Sequence, residues 1–319
     1  MIRGELFSLA SSFILMPSIA NALHTLNEIR IHPLMGTWKI AAYKRWLKWQ
    51  IGSRLVPGAV VVNFVNGTRL CLRPGMHGAT MNLYVGLDEY KAMSFVLHFL
   101  RPDQIFVDVG ANVGVFTILA SGAARARTIA FEPTPDSFDG LLLNVKLNSL
   151  ENHVDCRPIA LSNEKGEAFF TRELDTLNHV VLSPTSESGA MIRVKVSTLD
   201  EELAGFSPAM IKMDAEGYEN HILDGASQTF SSPALLALIV EINANCHRYG
   251  LTESRLFERI LSYGFIAVAY DPVERRLTRC DSWDSDRGAE ANTIFVRDIS
   301  LATQRVKAAP KFKTIAYEI

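Results

Sequence analysis

The run Ile105-Phe106-Val107-Asp108-Val109-Gly110-Ala111-Asn112-Val113-Gly114 constrains this chain more than any other stretch. Four residues of buried-strand type, Ile105, Phe106, Val107 and Val109, surround an acid near the strand's end. A glycine turn follows, and then Val113, Phe116, Thr117 and Ala120 recur at helical spacing until Gly122 stops the helix. Strand, glycine turn and helix N-terminus in that order form a cradle for a nucleotide-like cofactor. The glycines allow close backbone approach, and the helix end offers N–H groups to an anion. An acid near the end of a buried strand must have a partner or a function, because burying a bare carboxylate is costly.

The spacing narrows the cofactor. A dinucleotide site takes G-x-G-x-x-G, but counting from Gly110 puts the second and third glycine positions on Asn112 and Val115. The run instead fits D-x-G-x-N-x-G, the first cofactor motif of S-adenosylmethionine (SAM) methyltransferases. Two other classes are weighed. A nicotinamide-dependent oxidoreductase is disfavoured by the missing third glycine. A catalytically silent module of the same fold is disfavoured by the acids described below.

From Leu87 onward, strands alternate with helical patterns, which implies a mostly parallel sheet covered on both faces. The strand-like runs are 105–109, Arg127–Phe131, Val154–Ile159, Met210–Met213, Leu236–Ile242, Phe265–Tyr270 and Asn292–Arg297. They predict a seven-stranded sheet, with Glu167–Thr171 and Ile192–Val196 as shorter, more exposed strands. Asp88 is read as a helix cap, Thr134-Pro135 as a helix start and Thr198–Glu201 as a capping box. Upstream, Asn66-Gly67 between apolar runs signals a hairpin, and residues 1–55 read as helical.

The N-terminus is apolar from Leu6 to Ile19, and Ala20-Asn21-Ala22 imitates a cleavage site. Glu5 and Pro17 argue against a secretion signal or a spanning helix, and an amphipathic or interfacial helix is expected instead. The basic aromatic stretch Trp38–Trp49 suits membrane contact. The favoured expectation is that its tryptophans pack on the body while its lysines face water. The four cysteines are scattered with no C-x-x-C, so neither a zinc site nor a disulfide framework is indicated. A net charge of −2 gives no global attraction to nucleic acid.

Open α/β sheets bind ligands beyond the carboxyl ends of their strands, and here those ends carry Asp108, Glu132, Asp214 and Glu241. Glu132 is placed to accept the cofactor's ribose hydroxyls, and Asp108 to act near its methionine end. Asn112 either bonds the cofactor carboxylate or stabilises its own turn. Adenine contacts are expected near Ile159–Ser162. In Lys212-Met213-Asp214-Ala215-Glu216-Gly217-Tyr218-Glu219, Asp214 lies where the methyl group is expected and Lys212 is placed to pair with it. Glu216 and Glu219 share a helix face if a helix starts there. His179, in an irregular segment suited to covering the cleft, is the alternative to Asp214 as base or orienting group, with Glu216 and Glu241 shaping the pocket. His77 is a weaker candidate. No metal-ligand spacing is diagnostic, and no metal is assigned.

The chain resembles the FkbM-type SAM-dependent methyltransferases. The resemblance rests on Phe106–Thr117, Phe131–Pro135 with Asn144 and Asn148, Ala160–Ser162 with Gly166, Ser197–Asp200, and Ile211–Glu219 with Gly225. It extends over roughly residues 86–298. It implies a Rossmann-like class I methyltransferase fold in the α/β class, SAM as cofactor, and O-methylation of a hydroxyl on a sugar, polyketide or other secondary metabolite. The cofactor-binding set is Asp108, Gly110, Asn112, Gly114, Glu132 and Ala160, and the catalytic set is Asp214, His179 and Glu216. The expected organisation is a helical and hairpin extension over 1–85, a methyltransferase domain over 86–300 and a tail over 301–319. A cytoplasmic location and a small hydroxylated substrate are expected, with no nucleic-acid partner. The oligomeric state is left open.

Overall fold

A computed structural model describes residues 19–55, 58–171, 179–181, 191–282 and 291–319. The apolar run 6–18 and most of 172–190 lie outside the described residues, so the expectations for a leader and for a covering segment are not addressed there. Among the described residues, no helix is long and apolar enough to cross a membrane.

The hairpin signal at Asn66-Gly67 joins strands β1 (Val60–Asn63) and β2 (Arg69–Leu72), which pair antiparallel. Both turn residues have positive φ, as a tight hairpin turn demands. In chain order the remaining strands are β3 (Ile105–Val109), β4 (Arg127–Phe131), β5 (Val154–Arg157), β6 (Ala160–Leu161), β7 (Gly166–Thr171), β8 (Val180–Val181), β9 (Met191–Ser197), β10 (Pro208–Met213), β11 (Ala237–Glu241), β12 (Ile266–Asp271), β13 (Arg276–Arg279) and β14 (Asn292–Val296).

The main sheet has eight strands in the order β13-β12-β14-β11-β10-β3-β4-β5. The strands from β11 through β5 run parallel, while β14 is antiparallel to both β11 and β12. This is the Rossmann-like methyltransferase architecture. The count exceeds the expected seven by β13, an exposed edge strand antiparallel to β12. Its Arg-Leu-Thr-Arg sequence carries too little apolar signal to read as a strand.

The central strands are apolar on both faces because both faces are covered. Phe106 packs into the core on one side and Val107 into the core on the other. The chain leaves β3 toward β4 and β5, then returns to β10 on the opposite flank of β3. That reversal opens a crevice at the carboxyl ends of β3 and β10. The shorter strands form a separate four-stranded sheet, β6-β9-β7-β8, beside this crevice.

The flanking segments are built into the same body. Phe64, Leu70 and Leu72 of the hairpin, and Val306, Phe312 and Ile319 of the C-terminal stretch, share a core with Phe106. Asn144, fully buried, accepts from the Cys71 N–H (2.7 Å) and donates to the Val113 carbonyl (2.8 Å), tying the hairpin to the glycine turn. Thr134 precedes the helix Pro135–Leu147 as expected. The helix Tyr90–Phe99 is preceded by Glu89 rather than Asp88, and Glu89 makes no side-chain cap.

Candidate active site

A cavity of about 330 Å³ occupies the crevice, within the usual range for small-molecule sites. Its walls are the strand ends Val109-Gly110, Phe131-Glu132 and Asp214-Ala215-Glu216, the pair Ala160-Leu161, and Glu241. Phe170 and Val180 of the small sheet face it, and Gly78 and Glu89 close it from the N-terminal side.

Gly110 has φ +75, and a Cβ there would lie 1.9 Å from the Asp214 carbonyl oxygen. Its bare backbone is therefore required by the neighbouring strand, whereas the sequence suggested room for the cofactor alone. Gly114 (φ +85) does not line the cavity, and a Cβ there would meet Leu141 at 2.5 Å. Its place is against the helix Pro135–Leu147.

The turn's amides are already used. Gly110 and Ala111 both donate to the Phe131 carbonyl, Val113 to the Asn112 side chain (2.6 Å) and Gly114 to the Ala111 carbonyl. Asn112 thus braces its own turn while lining the cavity.

Glu132 is buried yet borders the cavity. It accepts from the Asn112 N–H (2.8 Å), the Thr134 N–H (2.9 Å) and the Thr134 hydroxyl. Burial pushes its carboxyl above the ordinary range, and those donors pull it back. Asp108 lies behind the cavity wall, where one oxygen accepts from Thr117 Oγ1 (2.6 Å) and the other, Oδ1, has no partner. Burial raises Asp108 too, against the opposing charge of Lys212.

Lys212 sits opposite Asp108 in the β10–β3 register. Its ammonium donates to Asp214 Oδ2 at 2.7 Å and lies 4.6 Å from the centre of the Phe116 ring. Burial alone would lower this lysine, but Asp214, Glu89 and Asp108 together hold it above its ordinary value.

Glu216 and Glu219 do not share a helix face. The helix begins only at Glu219, and Glu216 occupies a left-handed turn with φ +54. Glu219 folds back and accepts from the Ala215 and Gly217 N–H groups at 2.8 and 3.2 Å, rigidifying that turn. Glu216 faces the cavity and accepts from Asn245 Nδ2 at 2.7 Å.

Asp214, Glu216 and Glu241 each bring a carboxylate oxygen within 4.8 Å of the others. Burial and then the nearby Asp214 push Glu216 up to about 8. Burial pushes Glu219 up to about 7, and Glu241, again by burial and then Asp214, is pushed up further. Glu241 Oε2 has no partner. Such a set disfavours three simultaneous negative charges and accommodates a cation, whether a sulfonium, an ammonium or a metal ion.

His179 is not among the cavity-lining residues. Its N–H donates to Thr171 Oγ1 (3.0 Å), and it is the adjacent Val180 that faces the cavity. Alternation along an extended chain turns neighbouring side chains to opposite faces. The side chain of His77 lies outside the described residues. Ala160 is in the wall as expected. Glu89 and Asn245 were not singled out by sequence. Glu89 accepts from Asn292 Nδ2 while bordering the cavity, and Asn245 holds Glu216. The Asp88-Glu89 pair was the only local signal for the former.

Residues 108–266 match the family described as the methyltransferase FkbM domain. Over 156 residues the chain is 28% identical to the hexuronic acid methyltransferase AglP of Haloferax volcanii, covering 49% of this chain and 63% of that protein. Over 73 residues it is 41% identical to the AMB antimetabolite synthetase AmbE of Pseudomonas aeruginosa, covering 23% and 3% respectively. The chain thus spans less than two thirds of the length of these curated relatives. Similar solved structures include a SAM-dependent methyltransferase of Agrobacterium tumefaciens, with 11% identity and a TM-score of 0.40 over 76% of this chain and 71% of that one. Another is the precorrin-6y C5,15-methyltransferase of Geobacter metallireducens, with 13% identity and a TM-score of 0.37 over 66% and 88%.

Proposed function

Because the chain belongs, through residues 108–266, to the FkbM methyltransferase family, we propose that it moves a methyl group from SAM to a hydroxyl oxygen of a sugar-like small molecule. The observation that carries this reading is the pairing of two acidic features across one cavity. Glu132 ends β4 on one side, and the cluster Asp214, Glu216 and Glu241 lies on the other. A carboxylate on the β4 side suits a ribose diol, and the opposite cluster suits the sulfonium. The hexuronic acid specificity of the Haloferax relative supports a sugar-like acceptor.

The residues fit SAM on the structure's own terms. The cavity has the right scale, its Ala160-Leu161 wall is apolar, and its acidic cluster is only partly offset by Lys212, which pairs with Asp214, and by Arg248 beside Glu216. When bound, SAM supplies a methyl group on a sulfonium that leaves as a neutral thioether.

Glu132 would hold the ribose hydroxyls with its remaining lone pairs. Asp108 and Gly110 set the strand end against which the cofactor rests. Asp214, pinned by Lys212, would orient the acceptor hydroxyl toward the methyl donor. Glu216 would take the proton that the acceptor hydroxyl gives up on methylation. A base whose pKa lies near the working pH is the efficient choice, and a cation in the cavity lowers Glu216 toward that range. Phe170 and Val180 exclude water from one side.

The test is twofold. Calorimetric titration should show binding of SAM and its demethylated product but not of NAD. Methyl-labelled SAM should transfer label to hexuronic acid glycosides. Binding of NAD in preference to SAM would refute the cofactor reading, and SAM binding without transfer to any sugar would refute the acceptor class.

A further inference from the structure

The helix Lys39–Leu55, which follows the helix Ile19–Ile31, has two apolar faces, and among the described residues only one is packed against the body. Ala42, Trp46 and Trp49 pack inward. Arg45 reaches across to the Tyr84 carbonyl on that side. On the opposite face Ile40, Leu47, Ile51 and Leu55 are 69%, 51%, 52% and 75% exposed. Their spacing of seven, four and four residues places them in one stripe along the helix. Trp38, about half exposed, stands at the helix start.

Charge marks the same region. From residue 29 to residue 87 the sequence contains no Asp or Glu, yet it holds Arg30, Lys39, Lys44, Arg45, Lys48, Arg54, Arg69 and Arg73. The chain as a whole carries −2, so this segment is basic within an otherwise acidic chain. Lys44 and Lys48 are exposed and lie within the apolar stripe itself.

We propose that this helix face docks on an anionic membrane surface, lying in the plane of the interface. The interleaving selects lipid over a second protein chain. An apolar protein partner covering Ile40, Leu47, Ile51 and Leu55 would trap two ammonium groups without counter-charges. At a lipid surface the aliphatic side chains enter the acyl boundary, while the lysine stems extend to the phosphates. Trp38 suits the headgroup level. A nucleic-acid backbone would engage the lysines but leave the aliphatic stripe in water. The sequence alone accounted for the inward tryptophans, whereas the outward stripe becomes evident only once the packed face is known.

Vesicle flotation of the full chain tests this. The protein should float at low salt with phosphatidylcholine vesicles containing phosphatidylglycerol, stay behind with phosphatidylcholine alone, and be released by high salt. The double variant Leu47→Glu/Ile51→Glu should abolish flotation with an unchanged melting temperature. Lys44→Gln/Lys48→Gln should weaken it about 30-fold, from the usual contribution of each basic side chain near an anionic leaflet. Absence of flotation, or equal flotation on neutral vesicles, overturns the proposal. So does a concentration-dependent dimer in sedimentation velocity that the glutamate variant dissolves, which would assign the face to a second copy.

Discussion

Replacing Glu216 by Gln should make the protein more stable and less active at once. The carboxyl is buried beside Asp214 and Glu219, which raises it from 4.5 to about 8. The folded state therefore keeps a proton that the unfolded chain has released. Stability is unaffected below about pH 4.5, falls as pH rises through neutrality, and levels off above about 8. At pH 7 the penalty spans about 2.5 pKa units, or about 3 kcal/mol as an order of magnitude. Glutamine keeps the shape and still accepts from Asn245 Nδ2, but it has no proton to retain. Urea unfolding of the cofactor-free protein should show the variant ahead by up to about 3 kcal/mol at pH 7, with the gap closing toward pH 4. Turnover should drop about 10²-fold or more, the usual contribution of a general base, and the wild-type rate should rise with pH along a limb that the variant lacks. Equal stability of the two proteins at pH 7, or a variant with normal turnover, would refute the assignment of Glu216 as a poised base.

Glu132→Ala should weaken SAM binding by about 1.5–3 kcal/mol, as expected for charge-assisted hydrogen bonds, while also stranding the Asn112 and Thr134 N–H groups. Unchanged affinity in calorimetry would exclude Glu132 as the ribose anchor. Gly110→Ala should disrupt folding even without cofactor, because its Cβ would meet a backbone oxygen at 1.9 Å. A normal cofactor-free melting temperature would count against that packing. Lys212→Met should leave Asp214 and Asp108 without their counter-charge and lower the pH at which the protein is most stable. An unchanged stability profile from pH 5 to 8 would contradict the buried network. His179→Ala should alter turnover by no more than a few-fold, since Val180 rather than His179 lines the cavity. A loss of 10²-fold or more, the scale of lost acid–base help, would restore the histidine as base.

Local signals were readable where local physics decides. The β3 strand, its glycine turn and the Asn66-Gly67 hairpin depend on residues adjacent in sequence, and the structure forms them there. The acids at the strand ends were legible for a related reason. A carboxylate that closes a run of buried-strand residues stands out, whatever lies beside it. The misreadings arise where a side chain's meaning is supplied by a distant strand. Gly110 looked like clearance for a ligand, but β10 passes so close that Asp214 would collide with any Cβ. His179 looked poised over the cleft, but pairing of β8 with β7 turns Val180 inward. Spacing paired Glu216 with Glu219, yet the left-handed turn at Glu216 sends one to the cavity and the other back onto the turn's own amides.

That last divergence bears on how the site works. Glu219 spends its carboxylate on holding the 215–217 turn, and Asn245 holds the side chain of Glu216 from the other side. The acid nearest the proposed chemistry is thus fixed from two sides, by the turn that Glu219 braces and by the neutral amide of Asn245. Its proton affinity is set by burial and by the surrounding charges, with Asp214 and Glu219 raising it and Arg248 and Lys212 lowering it. Asn245 therefore contributes to positioning, whereas Lys212 contributes to acidity. Changes at Asn245 should shift catalytic geometry with little effect on the titration of Glu216, whereas changes at Lys212 should do the reverse. Comparing pH–rate profiles of Asn245→Ala and Lys212→Met separates the two: a displaced pH limb in the first, or an undisplaced one in the second, would mean that geometry and charge are not divided in this way.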